Sequence, residues 1–155
     1  MSRVIVVGNP WTRRSEFSTA LSTVTGIPMS NVDELLHGAN AEEVVTRIGK
    51  AVEPECWIMD GPHVPELPHF LERCDSAIFL DYSLEECMEN SRRRLAAGEF
   101  VTASSMTHYF MSLRPLILDA FRSHPRVMVN RFTSHVGACT FLKALGWTGD
   151  VDGGE

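Results

Sequence analysis

No stretch of this 155-residue chain approaches the run of about 18 apolar residues that a membrane-spanning helix requires, so a membrane span is excluded. The four cysteines, at 56, 74, 87 and 139, form no CxxC pair and do not cluster with histidines. Free, mostly buried thiols in a reducing compartment are the plain reading, over zinc or disulfides. No signal peptide is expected either: Arg3 is followed at once by the strand-like Val4–Val7, which leaves no room for one. A cytoplasmic location is expected, in a host cell if the source is viral. No internal repeat and no linker divides the chain, and its length suits one domain with one core. A net charge of -6 argues against a broad nucleic-acid surface but leaves room for a local basic groove, with Arg92, Arg93 and Arg94 as the candidate. The remaining totals, 44% hydrophobic and 22% charged, are ordinary for a globular protein.

The apolar runs alternate between two periods. Val4–Val7, Met29–Val32, Cys56–Met59, Ser76–Leu80 and Arg126–Val129 read as short strands, the β-branched ones suited to burial on both faces. Between them Ser15–Thr25, Ala41–Val52, Leu84–Ala97 and His135–Leu145 carry helical spacing, and Pro65–Cys74 reads as a short helix or turn. Asn40 is placed to cap the second of these helices, with Glu42 and Glu43 in its first turn. Thr107–His124 is a long helical pattern that Pro115 should kink or divide. Gly98–Ser105 is polar and aperiodic, a mobile loop. Thr148–Glu155 is an acidic, glycine-rich tail expected to be frayed, which leaves 1–147 as the folded domain. Alternation of this kind implies an α/β fold of three layers, with helices on both faces of a five-stranded parallel sheet. Ligands of such sheets gather beyond the carboxyl ends of the strands. Gly8–Ser15, Asp33, Asp60 and Asp81 fall at those ends.

The first strand runs into Gly8-Asn9-Pro10-Trp11-Thr12-Arg13-Arg14-Ser15. A phosphate loop has the form Gly-x4-Gly-Lys-[Ser/Thr] between a strand and a helix, because its glycines let successive N–H groups curl round a phosphate. Gly8 and Ser15 keep that register; Arg13 stands at the second glycine and Arg14 at the lysine. A Cβ at the glycine position hinders the required conformation, and arginine replaces a compact ammonium with a planar fork. Pro10 removes one N–H from the cradle. On these residues alone, an ordinary strand–helix turn with solvent-facing arginines stands equal to a degenerate phosphate loop.

Thr25-Gly26-Ile27-Pro28, Val32-Asp33-Glu34-Leu35-Leu36, Trp57-Ile58-Met59-Asp60-Gly61, Ile78-Phe79-Leu80-Asp81 and Arg92-Arg93-Arg94-Leu95 follow that loop in order. Together they resemble the small P-loop kinases, nearest the topology-modulation proteins and the adenylate kinase and shikimate kinase relatives around them, from residue 3 to about 145. The resemblance implies a P-loop nucleoside triphosphate hydrolase (kinase-like) fold, a nucleotide held by Gly8, Asn9, Pro10, Trp11, Thr12, Arg13, Arg14 and Ser15, and Arg14 standing in for the phosphate lysine. It implies Mg²⁺ bound through Ser15 and Asp60, Asp33 facing the acceptor, and Arg92, Arg93 and Arg94 opening a lid over the moving phosphate. Beyond them the sequence has no further arginine until Arg114, so the lid is sparsely equipped.

Plainer roles stand beside these. Asp33 would cap a helix beginning at Glu34, Asp60-Gly61-Pro62 would form a simple turn, and Arg92–Arg94 would end a solvated helix. Asp81 would end its strand without entering the chemistry, and His63 would be a surface histidine or touch an acceptor. Trp11 either stacks on a base or sugar or covers the apolar side of the turn. Three functions follow. The first is transfer of the γ-phosphate of ATP or another nucleoside triphosphate to a small hydroxyl or phosphate acceptor, most naturally a nucleoside or nucleotide. The second is an impaired pseudo-kinase acting as a nucleotide- or anion-binding or interaction module. The third is a site for another anion held by the two arginines.

Overall fold

A computed structural model of the chain describes residues 1–96 and 103–149. Most of the expected loop at Gly98–Ser105, residues 150–155 of the tail and the side chain of Arg94 lie outside the described part.

The β-branched run forms β1 (Arg3–Gly8), whose Val4, Ile5, Val6 and Val7 are buried. That is what a central strand covered on both faces requires. It pairs in parallel with β3 (Trp57–Asp60) on one side and β4 (Ser76–Leu80) on the other, both buried along their whole length. β2 (Met29–Asn31) and β5 (Met128–Phe132) pair in parallel at the edges, giving the order β2-β3-β1-β4-β5. The chain leaves β1 towards β3 and β2, then returns across β1 to β4 and β5. The order reverses between β1 and β4, which makes the crevice beyond their carboxyl ends the favoured ligand position of such a sheet.

Helix α1 (Arg14–Thr25) follows β1 and packs on the sheet through Phe17, Ala20 and Leu21; it stops at Gly26, whose N–H reaches Ser22 O from a left-handed conformation. The short α2 (Val32–Leu35) starts where the sequence predicts strand, because the Asn31 side chain accepts from Glu34 N at 3.1 Å and caps it. Helix α3 (Ala41–Ala51) is capped by Asn40 as expected, at 2.8 Å from Glu43 N. The short α4 (Leu67–Leu71) precedes β4, and α5 (Leu84–Ala96) follows it.

The helical pattern after residue 102 is divided, as Pro115 predicts, though not by a simple kink. Between α6 (Ala103–His108) and α7 (Arg114–Arg122) lies one π-helical turn, Tyr109–Leu113, in which Arg114 N bonds to Tyr109 O. Pro115 has no N–H to give and its ring clashes with the carbonyl four residues back, so the chain widens by one residue per turn before it. The last strand corrects the expected Arg126–Val129: it begins two residues later and includes Asn130 and Arg131. As an edge strand it tolerates them, and its register against β4, Ser76 opposite Met128 to Leu80 opposite Phe132, sets its ends. Ser134 then caps α8 (His135–Ala144) at 3.1 Å from Gly137 N. No helix among the described residues is long and apolar enough to cross a membrane.

Candidate active site

At the carboxyl end of β1 a Cβ on Gly8 would stand 2.9 Å from Thr12 Oγ1 and 3.0 Å from Leu80, so the loop leaves the sheet where only glycine fits. Asn9 is buried; its side-chain oxygen accepts from Trp11 N at 2.9 Å, and Thr12 Oγ1 donates to Asn9 O at 2.7 Å. These bonds close Pro10–Thr12 into a 3₁₀ turn. Trp11 is 4% exposed and belongs to the core, with its carbonyl accepting from Asn90 Nδ2. Of its two expected roles, covering the apolar side of the turn is the one the structure gives it.

Arg13 then adopts φ 54°, ψ 40°, the only left-handed non-glycine among the described residues. This is the place of the motif's second glycine, and the backbone takes a glycine-like conformation despite the side chain, at a cost of about 1–2 kcal/mol. The Arg13 guanidinium lies 3.4 Å from His135 Nε2 at the start of α8. The same imidazole meets Tyr82 Oη at 3.2 Å through Nδ1 and Cys139 Sγ at 3.4 Å. Burial pushes the Tyr82 hydroxyl well above its ordinary value, so it stays a neutral partner.

The centre of the site is Asp60, the last residue of β3, with its side chain fully buried. Its Oδ1 accepts from Arg14 Nε at 3.0 Å and Ser18 Oγ at 2.8 Å; its Oδ2 accepts from Ser15 Oγ at 2.9 Å and Asn31 Nδ2 at 3.3 Å. Arg14 also donates to Gly8 O at 3.2 Å, so its guanidinium is folded back across the base of the loop. Gly61, at φ 76°, makes this possible, because a Cβ there would lie 2.5 Å from Arg14 Nη2. Gly61→Ala combines left-handed strain with displacement of the guanidinium. Thermal melting should show a loss of roughly 1–3 kcal/mol, and an unchanged melt would mean that Arg14 moves aside without cost.

Asp33 corrects its expected place. It does not end strand two, which stops at Asn31, and it caps no helix, since Asn31 does; it sits inside α2 with its carboxylate exposed. His63, three residues past Asp60, brings Nε2 to 2.6 Å from Asp33 Oδ1. Both side chains are about 60% exposed (59% and 62%), so the pair adds little stability. Asn31 ties its helix to Asp60, a link the sequence reading missed. Arg92 pairs with Glu89 on its own helix at 2.9 Å, and Arg93 is exposed; no described contact carries either to the loop.

Asp81 follows the last residue of β4, at the strand end where the sequence puts it. It is a buried carboxylate gripped by Arg114 Nε and Nη2 at 2.7 and 2.9 Å and by Arg131 Nε at 2.7 Å. Burial raises its pKa, but the bonds from Arg114 and Arg131 outweigh that and leave it below the usual carboxylate value. Tyr109, at the start of the π turn, is buried nearby with a hydroxyl that has no hydrogen-bond partner among the described residues. The signal for this cluster is Arg114-Pro115: the widened turn before the proline runs from Tyr109 to Leu113 and delivers Arg114 to Asp81.

A scan against models of known protein families finds no match, and a search of curated proteins by sequence finds none. Solved structures do match. A shikimate kinase from Aquifex aeolicus aligns with TM-score 0.58 at 14% identity, over 92% of this chain and 95% of that one. A gluconokinase from Sinorhizobium meliloti aligns with TM-score 0.58 at 14% identity, over 96% and 98%. A sugar kinase from a Janibacter species aligns with TM-score 0.54 at 15% identity, over 95% and 94%. The chain has the P-loop kinase fold, a five-stranded parallel α/β sheet, as its sequence resemblance implied.

Proposed function

We propose that the chain holds the phosphate tail of a nucleoside triphosphate over Gly8–Ser15 and passes the terminal phosphoryl group to a small acceptor at Asp33. The observation that carries this reading is the Asp60 hub. It ties Arg14 and Ser15 of the loop to Asn31, and through Asn31 to the helix bearing Asp33. Donor element and acceptor carboxylate are thus fixed to one buried group, and positioning is most of what phosphoryl transfer asks of a protein.

In the step itself the acceptor O–H gives its proton to the Asp33 carboxylate as its oxygen bonds to the γ-phosphorus. The bond from that phosphorus to the β–γ bridging oxygen breaks, and the nucleoside diphosphate leaves with the electron pair. His63 orients the Asp33 carboxylate through Nε2. Arg14 and the first N–H groups of α1 supply positive potential to the phosphates. The resemblance implies Mg²⁺ held by Ser15 and Asp60. Ser15 Oγ donates to Asp60 and keeps its lone pairs, but Asp60 as arranged does not fit the ion: its two oxygens accept four hydrogen bonds, one of them from the Arg14 guanidinium. Nucleosides and nucleotides are the acceptor class the sequence favours, and the structural neighbours add small hydroxylated metabolites such as sugar acids. A net charge of -6, and a depression at Arg92 that Glu85, Glu86 and Glu89 also line, do not favour a nucleic acid.

ADP formation from ATP, measured across nucleosides, nucleotides and sugar acids, tests the reading. One acceptor should support turnover, and Asp33→Asn should lower kcat by about 10²–10⁴-fold with an unchanged melt. ATP binding without turnover on any acceptor would instead support the second reading, a pseudo-kinase that binds nucleotide or anion. The saturated Asp60 and the folded-back Arg14 favour that alternative.

A further inference from the structure

An ionised carboxylate has two oxygens and about four lone-pair sites to offer. At Asp60 four donors occupy them, two on each oxygen, and the side chain is closed to solvent. One of the four is already a cation. A metal ion, or a water bound to one, would reach Asp60 only by breaking one of these bonds. It would then stand beside the Arg14 guanidinium with like charge at a few ångströms, a repulsion that is large in a partly buried site.

Arg14 is not free to withdraw easily. Nε is on Asp60, Nη1 is on Gly8 O, and the fork lies against Gly61, where any side chain would collide with it. Nη2 makes no hydrogen bond among the described residues, and the side chain keeps 17% exposure, so the fork has a donor to offer a ligand. Arginine suits phosphate oxygens in this role, being planar, always charged and weakly hydrated. Arg13, the next residue in the loop, carries a second guanidinium, anchored towards α8. A triphosphate without metal is more negative than its magnesium complex and fits two arginines better.

We infer that this site takes its phosphate ligand without a divalent metal, Arg14 on Asp60 occupying the place and the charge of the cation. The inference rests on the nucleotide-binding half of the reading above and holds whether or not turnover follows. It departs from the metal-assisted binding that the sequence resemblance implies for Ser15 and Asp60.

The test is titration calorimetry of the full chain with ATP, once in EDTA and once in excess MgCl₂ at matched ionic strength. ATP should bind in EDTA within about threefold of its Kd in magnesium, or more tightly. Arg14→Lys, which returns a smaller ammonium and frees one of the two acceptor sites on Asp60 Oδ1, should make binding depend on metal by about tenfold or more. The wild-type comparison stands by itself should that variant melt early. Wild-type binding at least about tenfold weaker in EDTA overturns the inference while leaving the nucleotide reading intact. If ATP binds in neither buffer, the nucleotide reading falls, and sodium pyrophosphate in EDTA decides the rest. Pyrophosphate binding keeps a metal-free anion site; its absence removes that as well.

Discussion

Asp60→Asn is expected to destabilise the protein by about 3–5 kcal/mol, the cost of breaking a buried ion pair by removing one charge. The substitution keeps the shape but replaces one acceptor oxygen with an NH₂ group. Two of the four donors, among Arg14 Nε, Ser15 Oγ, Ser18 Oγ and Asn31 Nδ2, then face a donor. With the amide nitrogen in the Oδ1 place, Arg14 keeps only its bond to Gly8 O. For a chain of this size the midpoint of thermal unfolding should fall by about 10 °C. The damage should also spread along the hub, so that α1 and α2 lose amide protection before β4 does. A variant that melts within about 1 kcal/mol of the parent would show that the four bonds do not hold the site together.

Asp81→Ala carries the next largest effect. It leaves Arg114 and Arg131 facing each other without the carboxylate between them. Their side chains are 30% and 51% exposed, so water screens part of the repulsion and the expected loss is about 2–3 kcal/mol. The pH dependence separates this from a simple cavity. Asp81 has a folded-state pKa below its unfolded value, so its contribution is complete above the unfolded value and drains away as pH falls through the folded one. Asp75 behaves alike: burial raises it, but bonds from Ser2 Oγ, Arg3 N, Ser76 Oγ and Ser2 N outweigh that and hold it lowered from 3.8 to about 2. The parent should therefore lose stability progressively as pH falls from 3.8 towards 2. Asp81→Ala should lose less over that interval, because one fewer proton is taken up on unfolding. Parallel melting curves for both proteins over this range would place the Asp81 effect in packing and not in charge.

What could be read in advance follows the range of the forces involved. Strands β1, β3 and β4 were legible because burial on both faces writes a continuous apolar run, and Asn40 because a cap acts over three residues. β5 was misplaced by two residues because an edge strand needs no such run. The candidate site divides in the same way. Gly8–Ser15 and Asp60 lie at strand ends that periodicity locates. Asn31 escaped because its cap is local while its bond to Asp60 spans 29 residues. Asp81 was legible as a strand end but its ion pairs were not, because its partners lie 33 and 50 residues away and charge pairing at that separation leaves no periodic trace. Arg13 shows the opposite limit. Its departure from glycine was plain, yet the backbone takes the left-handed conformation anyway, held where His135 of α8 meets the side chain.

The central claim is that phosphate is received at the β1–α1 loop over the Asp60 hub. Amide ¹H–¹⁵N NMR titration of the full chain with ATP tests it most directly, since it reports where a ligand sits without requiring turnover. The largest shifts are expected at Gly8, Asn9, Arg13 to Glu16 and Gly61, with smaller ones at Asn31 and Asp33 through the hub. Shifts confined to the open depression along α5, lined by Leu84, Met88, Arg92 and Ser134, would contradict the account, as would no shift at all.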